Sequence, residues 1–173
     1  MRLIWVTGIS GAGKSTGCGI VRSLGAAAVD TDWDGFNHWV DRATSEPAVD
    51  PPYPTPEDWV DDHAWQIRPD LVRALRDEGP GVTFLFGAVE NEVEVWELFD
   101  RVACLLIDDE TVRHRLATRT TNAFGKHPRD LERVLGWNRD MDRIYRRLGA
   151  VLIDGTRPVD EVAEAVLRLA DDL

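Results

Sequence analysis

Gly8-Ile9-Ser10-Gly11-Ala12-Gly13-Lys14-Ser15 is the stretch on which the fold of this chain turns. It meets G-x-x-x-x-G-K-[ST] at every fixed position, follows the apolar run Leu3-Ile4-Trp5-Val6 and leads into a segment of helical character. Glycine at 8, 11 and 13 lets the backbone turn tightly, with positive φ where needed, so that successive N–H groups aim at one anion. The positive end of the following helix adds to that field. Lys14 supplies a point charge for the β- and γ-phosphates, and Ser15 offers a hydroxyl to Mg²⁺. With Ala12 and Thr16 at the loop–helix junction, Gly8, Gly11, Ala12, Gly13, Lys14, Ser15 and Thr16 form the candidate phosphate-binding set. The stretch implies that the chain binds a nucleoside triphosphate.

Working outward, 173 residues suffice for one full core and are too few for two ordinary domains, so residues 1–173 are expected to form a single domain. No apolar run approaches the roughly 20 residues of a membrane span. The first strand leads directly into the phosphate loop and leaves no room for a signal peptide, so the cytoplasm is the expected location. Cys18 and Cys104 fall in a helix and a central strand, which predicts buried thiols and neither a disulfide nor a metal site. The net charge of −11 disfavours long nucleic acids, which need a basic track. The charge is unevenly spread: residues 109–147 carry ten Lys and Arg against six Asp and Glu, whereas residues 31–80 hold twelve acids and four bases. No motif specifies an oligomeric state.

Consecutive apolar residues predict parallel strands buried on both faces at Leu3–Thr7, Ala26–Val29, Val82–Phe86, Val102–Ile107 and Val151–Ile153. Helices are predicted from Lys14 to about Leu24, Glu92 to Phe99, Asp109 to Arg119, about Pro128 to Leu148, and Val159 to Leu169. This alternation means α/β architecture: a five-stranded parallel sheet with helices on both faces. Residues 33–80 form an insert expected to be helical and to cap a substrate. In it, Trp33, Phe36, Trp39 and Val40 suggest a short helix to about Ala43. Five prolines between Ser45 and Pro56 dictate a loop, and Thr55-Pro56-Glu57-Asp58 signals a helix start running toward Asp77, kinked or divided at Pro69.

Ligands in such a sheet collect at the carboxyl ends of the strands. Val82–Phe86 is followed by Gly87-Ala88-Val89 with no acid until Glu90, so the carboxylate for Mg²⁺ must come from elsewhere. Asp30 and Asp32 are the best placed pair. If the strand persists they point the same way, one orienting the metal's water and the other taking a proton from an attacking hydroxyl, unless one merely caps a helix near Trp33. We write Ser15 and Asp30 on the metal side and Asp32 as base; the residue types alone do not separate the two aspartates.

The order of phosphate loop, Asp30-Thr31-Asp32, capping insert, Arg115-x-x-x-Arg119 and an Asp154-Gly155-Thr156-Arg157-Pro158 turn resembles the P-loop small-molecule and nucleoside-monophosphate kinases. The Asp-x-Asp element is most similar to shikimate-kinase-like enzymes, and Arg115–Lys126 resembles bacterial kinase-like P-loop ATPases. The resemblance covers nearly all of the chain outside residues 33–80. It implies ATP as donor, Mg²⁺, a mobile lid at about 119–127, Arg115 and Arg119 reaching the transferring phosphoryl group and the adenine side, and Gly155, Thr156 and Pro158 at the adenine. The chain departs from that pattern at the tip of the third strand, where Gly87-Ala88-Val89-Glu90-Asn91 holds no arginine. With an acidic insert, this favours an uncharged or cationic hydroxyl compound as the small-molecule acceptor, with Asp32, Trp33 and Gly87 on the substrate side. Trp33, Trp39, Trp59 and Trp65 could stack on a nucleoside or sugar, although core packing suits at least three of them.

Overall fold

The computed structural model describes residues 1–51, 56, 58–78 and 81–171. The first part of the chain forms β1 (Arg2–Gly8), α1 (Lys14–Ser23), β2 (Ala27–Asp30), β3 (Asn37–Asp41), β4 (Pro47–Ala48), α2 (Trp59–Asp62), β5 (His63–Ile67) and α3 (Pro69–Glu78). There follow β6 (Val82–Phe86), α4 (Glu92–Val95) with a 3-10 turn at Trp96–Leu98, β7 (Arg101–Leu106), α5 (Asp109–Thr118), α6 (Pro128–Asn138), α7 (Met141–Arg147), β8 (Val151–Asp154) and α8 (Val159–Leu167).

The five apolar runs pair as one parallel sheet in the order β2-β6-β1-β7-β8. Alternate residues of each strand supply opposite faces. Ile4, Val6, Phe84, Phe86, Ala103 and Leu105 pack with Cys18 and Val21 of α1 and Val162 and Val166 of α8. Leu3, Trp5, Leu85 and Val102 pack on the other face with Val72, Val95 and Phe99. Trp5, fully buried, stacks on Phe99 at 5.1 Å and donates its indole N–H to Gly87 O at 3.1 Å, so its one polar side-chain atom is satisfied. Both cysteines are buried thiols, as their segments predicted, and burial pushes Cys18 to about 11 and Cys104 to about 12.

The insert is not the helical cap expected. Its apolar spacing from Trp33 to Val40 suits a helix, yet residues 31–35 form a turn and Asn37–Asp41 is a strand. β3 pairs antiparallel with β4 on one side and β5 on the other. The register places Trp39 opposite Trp65, and their rings lie 4.9 Å apart, a cross-strand aromatic pair that favours strands over helix. The helix expected to run toward Asp77 is divided: α2 covers Trp59–Asp62, His63–Ile67 pairs as β5, and α3 starts at Pro69, which disfavours helix in the residue before it. The expected start at Thr55 and Glu57 and the stop at Gly79-Pro80 lie outside the described residues. The helix expected over 128–148 is two, α6 and α7. At the end of α6, Asn138 Nδ2 donates to Ile107 O (3.0 Å) and Asp109 Oδ1 (2.9 Å), and the chain turns before α7.

Several ties hold the insert to the parallel sheet and its helices. Asn91, buried, acts as a surrogate strand: Ile67 N donates to its Oδ1 at 2.9 Å, and its Nδ2 donates to Ile67 O at 3.0 Å. Glu90 N donates to Trp65 O at 2.8 Å. Asp61 in α2 takes Arg129 on one carboxylate oxygen at 2.7 Å and Arg133 on the other at 2.5 Å, joining the insert to α6.

Replacing Asn91 by alanine leaves the N–H and C=O of Ile67 without their partners in a buried place. Urea unfolding of Asn91→Ala is expected to show a loss of about 2–3 kcal/mol; a loss below about 0.5 kcal/mol would mean the tie carries no weight.

Candidate active site

The phosphate loop takes the backbone its glycines permit. Gly8, Gly11 and Gly13 have φ of 150°, 89° and 98°, and a Cβ on Gly8 would lie 2.8 Å from Leu105 O. Gly13 opens α1 in the left-handed conformation, with Gly17 N donating to its carbonyl at 2.8 Å. Lys14 folds across the loop, its Nζ donating to Gly8 O (2.7 Å) and Ile9 O (3.1 Å). Burial pulls the Lys14 pKa below its ordinary value, while the negative charges of Asp32 and Asp30 act to retain the proton. Both aspartates therefore act on the ammonium group. Ala12 is buried, and Ser15 and Thr16 stand exposed in the first turn of α1.

Asp30 is the last residue of β2 and is buried. Burial raises its pKa, and the nearby Ser15 hydroxyl opposes that rise. Mg²⁺ takes oxygen donors and keeps several waters, so this carboxylate–hydroxyl pair fits the metal and would hold it. Among the described residues no group of three His, Cys, Asp or Glu offers an alternative.

The strand does not persist to Asp32. Asp30 and Asp32 are brought together by a turn, in which Asp32 N donates to Asp30 Oδ1 at 3.2 Å. Neither aspartate caps a helix. Asp34 closes the turn instead, accepting Asp30 N at 2.8 Å and pairing with Arg22. Asp32 Oδ1 accepts two hydrogen bonds, from Asn37 Nδ2 at 2.7 Å and Trp65 Nε1 at 2.9 Å, and among the described residues Oδ2 has no partner. Thr31 between them is buried and hydrogen-bonded to Asn37 Nδ2 at 2.9 Å.

Gly87 has a steric duty that its sequence context did not show. A Cβ there would lie 1.8 Å from Thr31 Oγ1, so only glycine lets the tips of β2 and β6 close together. Trp33 is 68% exposed and stands apart from the indole cluster, in which Trp39 meets Trp65 and Trp59 while Trp59 stacks on His63 at 3.7 Å. Trp33 thus leaves most of its ring open, whereas Trp39, Trp59 and Trp65 pack on one another.

Arg115 and Arg119 are not used alike. Arg115 is committed to backbone: its guanidinium donates to Gly11 O (3.2 Å), Ala12 O (3.3 Å) and Gly155 O (2.9 Å), tying the phosphate loop to the turn after β8. It is therefore a brace, and it lines a cleft of about 310 Å³ with Asp108, Glu110, Thr111, His114 and Thr156. Arg119 lies past the end of α5 in extended conformation, so the two do not share a helix face. It donates to Phe124 O, its Nε is buried with no partner among the described residues, and burial lowers its pKa. A buried cation with an unused N–H, close enough to Lys14 to act on its charge, suits an arriving anion. Thr156 is spoken for: its N–H and hydroxyl both donate to Asp154 Oδ1, at 2.9 and 2.6 Å. Pro158 starts α8.

Sequence reasoning missed Asn37 and Trp65 as partners of Asp32. Asn37, five residues on and just after a glycine turn, carried a local signal; Trp65 is 33 residues away and carried none. It also missed Glu92, which accepts the hydroxyl of buried Tyr145 and whose pKa is raised by burial.

Two substitutions test this geometry. Gly87→Ala should destabilise by about 1–3 kcal/mol, because the added methyl must displace Thr31; chemical denaturation measures it. For Glu92 the folded pKa lies above its unfolded value, so its contribution is full below the ordinary carboxylate range and is lost as pH rises through the raised pKa. Glu92→Gln should therefore gain stability relative to the parent as pH moves from about 4.5 to about 8, read from Tm at each pH.

No curated protein matches the chain. Solved structures similar to it include a shikimate kinase from Acinetobacter baumannii in complex with shikimate, with a TM-score of 0.63 at 15% identity over 99% of this chain and 94% of that one. A gluconokinase from Sinorhizobium meliloti 1021 has a TM-score of 0.53 at 18% identity over 99% and 94% of the two chains. A deoxyadenosine kinase from M. mycoides has a TM-score of 0.54 at 14% identity over 99% of each. At such identities the likeness is one of fold, and the fold is that of the P-loop kinases. Residues 4–148 match the AAA domain family, and the chain belongs to that family.

Proposed function

We propose that the chain is an ATP-dependent phosphotransferase that moves the γ-phosphoryl group to a hydroxyl of a small, uncharged or cationic, nucleoside- or sugar-like metabolite. The observation that carries this reading is the division at the tip of β2: Asp30 is buried beside Ser15, while Asp32 is held at Oδ1 by Asn37 and Trp65 and keeps its other carboxylate oxygen free among the described residues. The alternative of a non-metabolic ATP-dependent switch or assembly protein is disfavoured by the Asp-x-Asp element together with the arginine-bearing segment at 119–127. The three similar structures named above, each a kinase by name, support the reading through fold alone.

The phosphate loop binds the donor through its N–H groups, Lys14 follows the β- and γ-phosphates, and Arg119, in a lid at 119–127, offers its unused N–H to the same anion. Asp32 Oδ2 takes the proton of the acceptor hydroxyl as its oxygen bonds to phosphorus and ADP departs. Mg²⁺, held by Ser15 and Asp30, would neutralise charge on the phosphate oxygens. We place all of this in a single domain of 173 residues acting in the cytoplasm.

An uncharged or cationic acceptor is supported by the pairing of cations in and against the insert. Arg42 is bound to Glu90 at 2.6 Å, Arg68 to Asp70 at 2.9 Å, and Arg129 and Arg133 to Asp61, so each of these arginines already answers to a carboxylate. One observation favours the alternative, a nucleoside monophosphate kinase: Nη1 of Arg133 is buried with no partner among the described residues.

A panel of neutral hydroxyl compounds, amino alcohols and nucleoside monophosphates, assayed for acceptor-dependent ADP release, separates the two. Stimulation by a neutral or cationic compound is expected, and stimulation by a monophosphate would reverse the assignment. Lys14→Ala should abolish turnover. Asp32→Asn should bind ATP nearly as the parent does and lose about 10²–10⁴-fold in transfer; normal transfer by Asp32→Asn would contradict its role as base.

A further inference from the structure

A free aspartate carboxylate rotates about a broad, two-fold torsion, and its two oxygens are then equivalent. A general base needs one oxygen kept on the proton it will take. In this chain the equivalence is broken: Asn37 Nδ2 and Trp65 Nε1 both donate to Oδ1 of Asp32, and Oδ2 is left open among the described residues. The two donors differ in kind. Asn37 shares its amide with Thr31 Oγ1 and follows closely on the turn that carries the aspartate, whereas Trp65 comes from β5 and brings a group that donates and never accepts. An indole N–H can hold a carboxylate without competing for the proton.

The indole is itself firmly placed. Trp65 pairs across the insert with Trp39, its backbone N–H donates to Glu90 Oε1 at 3.3 Å, and its carbonyl accepts Glu90 N at 2.8 Å. Glu90 follows β6, so the ring is referenced to the parallel sheet as well as to the insert. We propose that Trp65 is a positioning residue for the transfer reaction: its indole N–H fixes Oδ1 of Asp32 so that Oδ2 meets the acceptor hydroxyl. The insert thereby orients the base in addition to covering the site. The proposal rests on the reading of Asp32 as base in a kinase.

Trp65→Phe keeps a ring against Trp39 and removes only the donor. With an acceptor from the panel above, it is expected to lower kcat about tenfold or more while KM for ATP and for the acceptor stays within about twofold. A purely structural role would move both constants, or only stability. A second readout needs no turnover: the Trp65 indole ¹H–¹⁵N cross-peak, assigned by triple-resonance spectroscopy in the full chain, should move upfield in Asp32→Ala, where its charged acceptor is gone. If the parent transfers phosphate and Asp32→Asn does not, yet Trp65→Phe matches the parent in kcat, the positioning role is overturned and the kinase reading stands. If no acceptor is phosphorylated by the parent, the kinase reading fails on its own account, and a cross-peak unmoved in Asp32→Ala overturns the pairing as well.

Discussion

Two carboxylates separated by one residue are divided in purpose by what each is bonded to. Asp30, at the end of a strand and buried, lies beside the hydroxyl of Ser15, whereas Asp32, on the turn beyond, takes an amide and an indole from the insert. Two like charges so close oppose each other, and the ammonium group of Lys14, on which both act, offsets that repulsion. The arrangement requires the tips of β2 and β6 to touch, and this is where Gly87 and Thr31 meet. Phosphate loop, sheet order and insert all serve to keep these few atoms in place.

The phosphate loop and the sheet were legible in the sequence because both depend on local rules. Glycines at fixed spacing permit only one kind of turn, and strands buried on both faces must be runs of apolar residues. The thiols were legible for the same reason, since Cys104 lies within such a run. The insert was not. Trp33, Phe36, Trp39 and Val40 fit a helical spacing, but the pairing that makes residues 37–41 a strand comes from Trp65 and its neighbours, more than twenty residues on. Long-range pairing overrode a local pattern.

The site shows the same division. Lys14, Ser15, Asp30 and Asp32 could be singled out because each lies on or just after the motif-bearing strands. Arg115 was singled out, but its ties to the phosphate loop were not legible, because a cation one turn before a loop looks free in sequence, while in the fold it reaches three carbonyls. Trp65 could not be singled out from the other indoles, because its value lies in one N–H at 2.9 Å from a residue 33 positions away. Asp61 was one acid among twelve in its segment until the fold brought Arg129 and Arg133 to its two oxygens.

In the proposed reaction, these ties make the insert part of the chemistry. Asn91, Glu90 and Asp61 hold it to the sheet and to α6, and it in turn supplies both donors that orient Asp32. The whole rests on the rim accepting a metal-bound triphosphate beside Asp30. Calorimetric titration of the protein with a non-hydrolysable ATP analogue, with and without Mg²⁺, tests this most directly. One-to-one uptake that tightens when Mg²⁺ is present is the result expected, and absence of uptake under both conditions would contradict it.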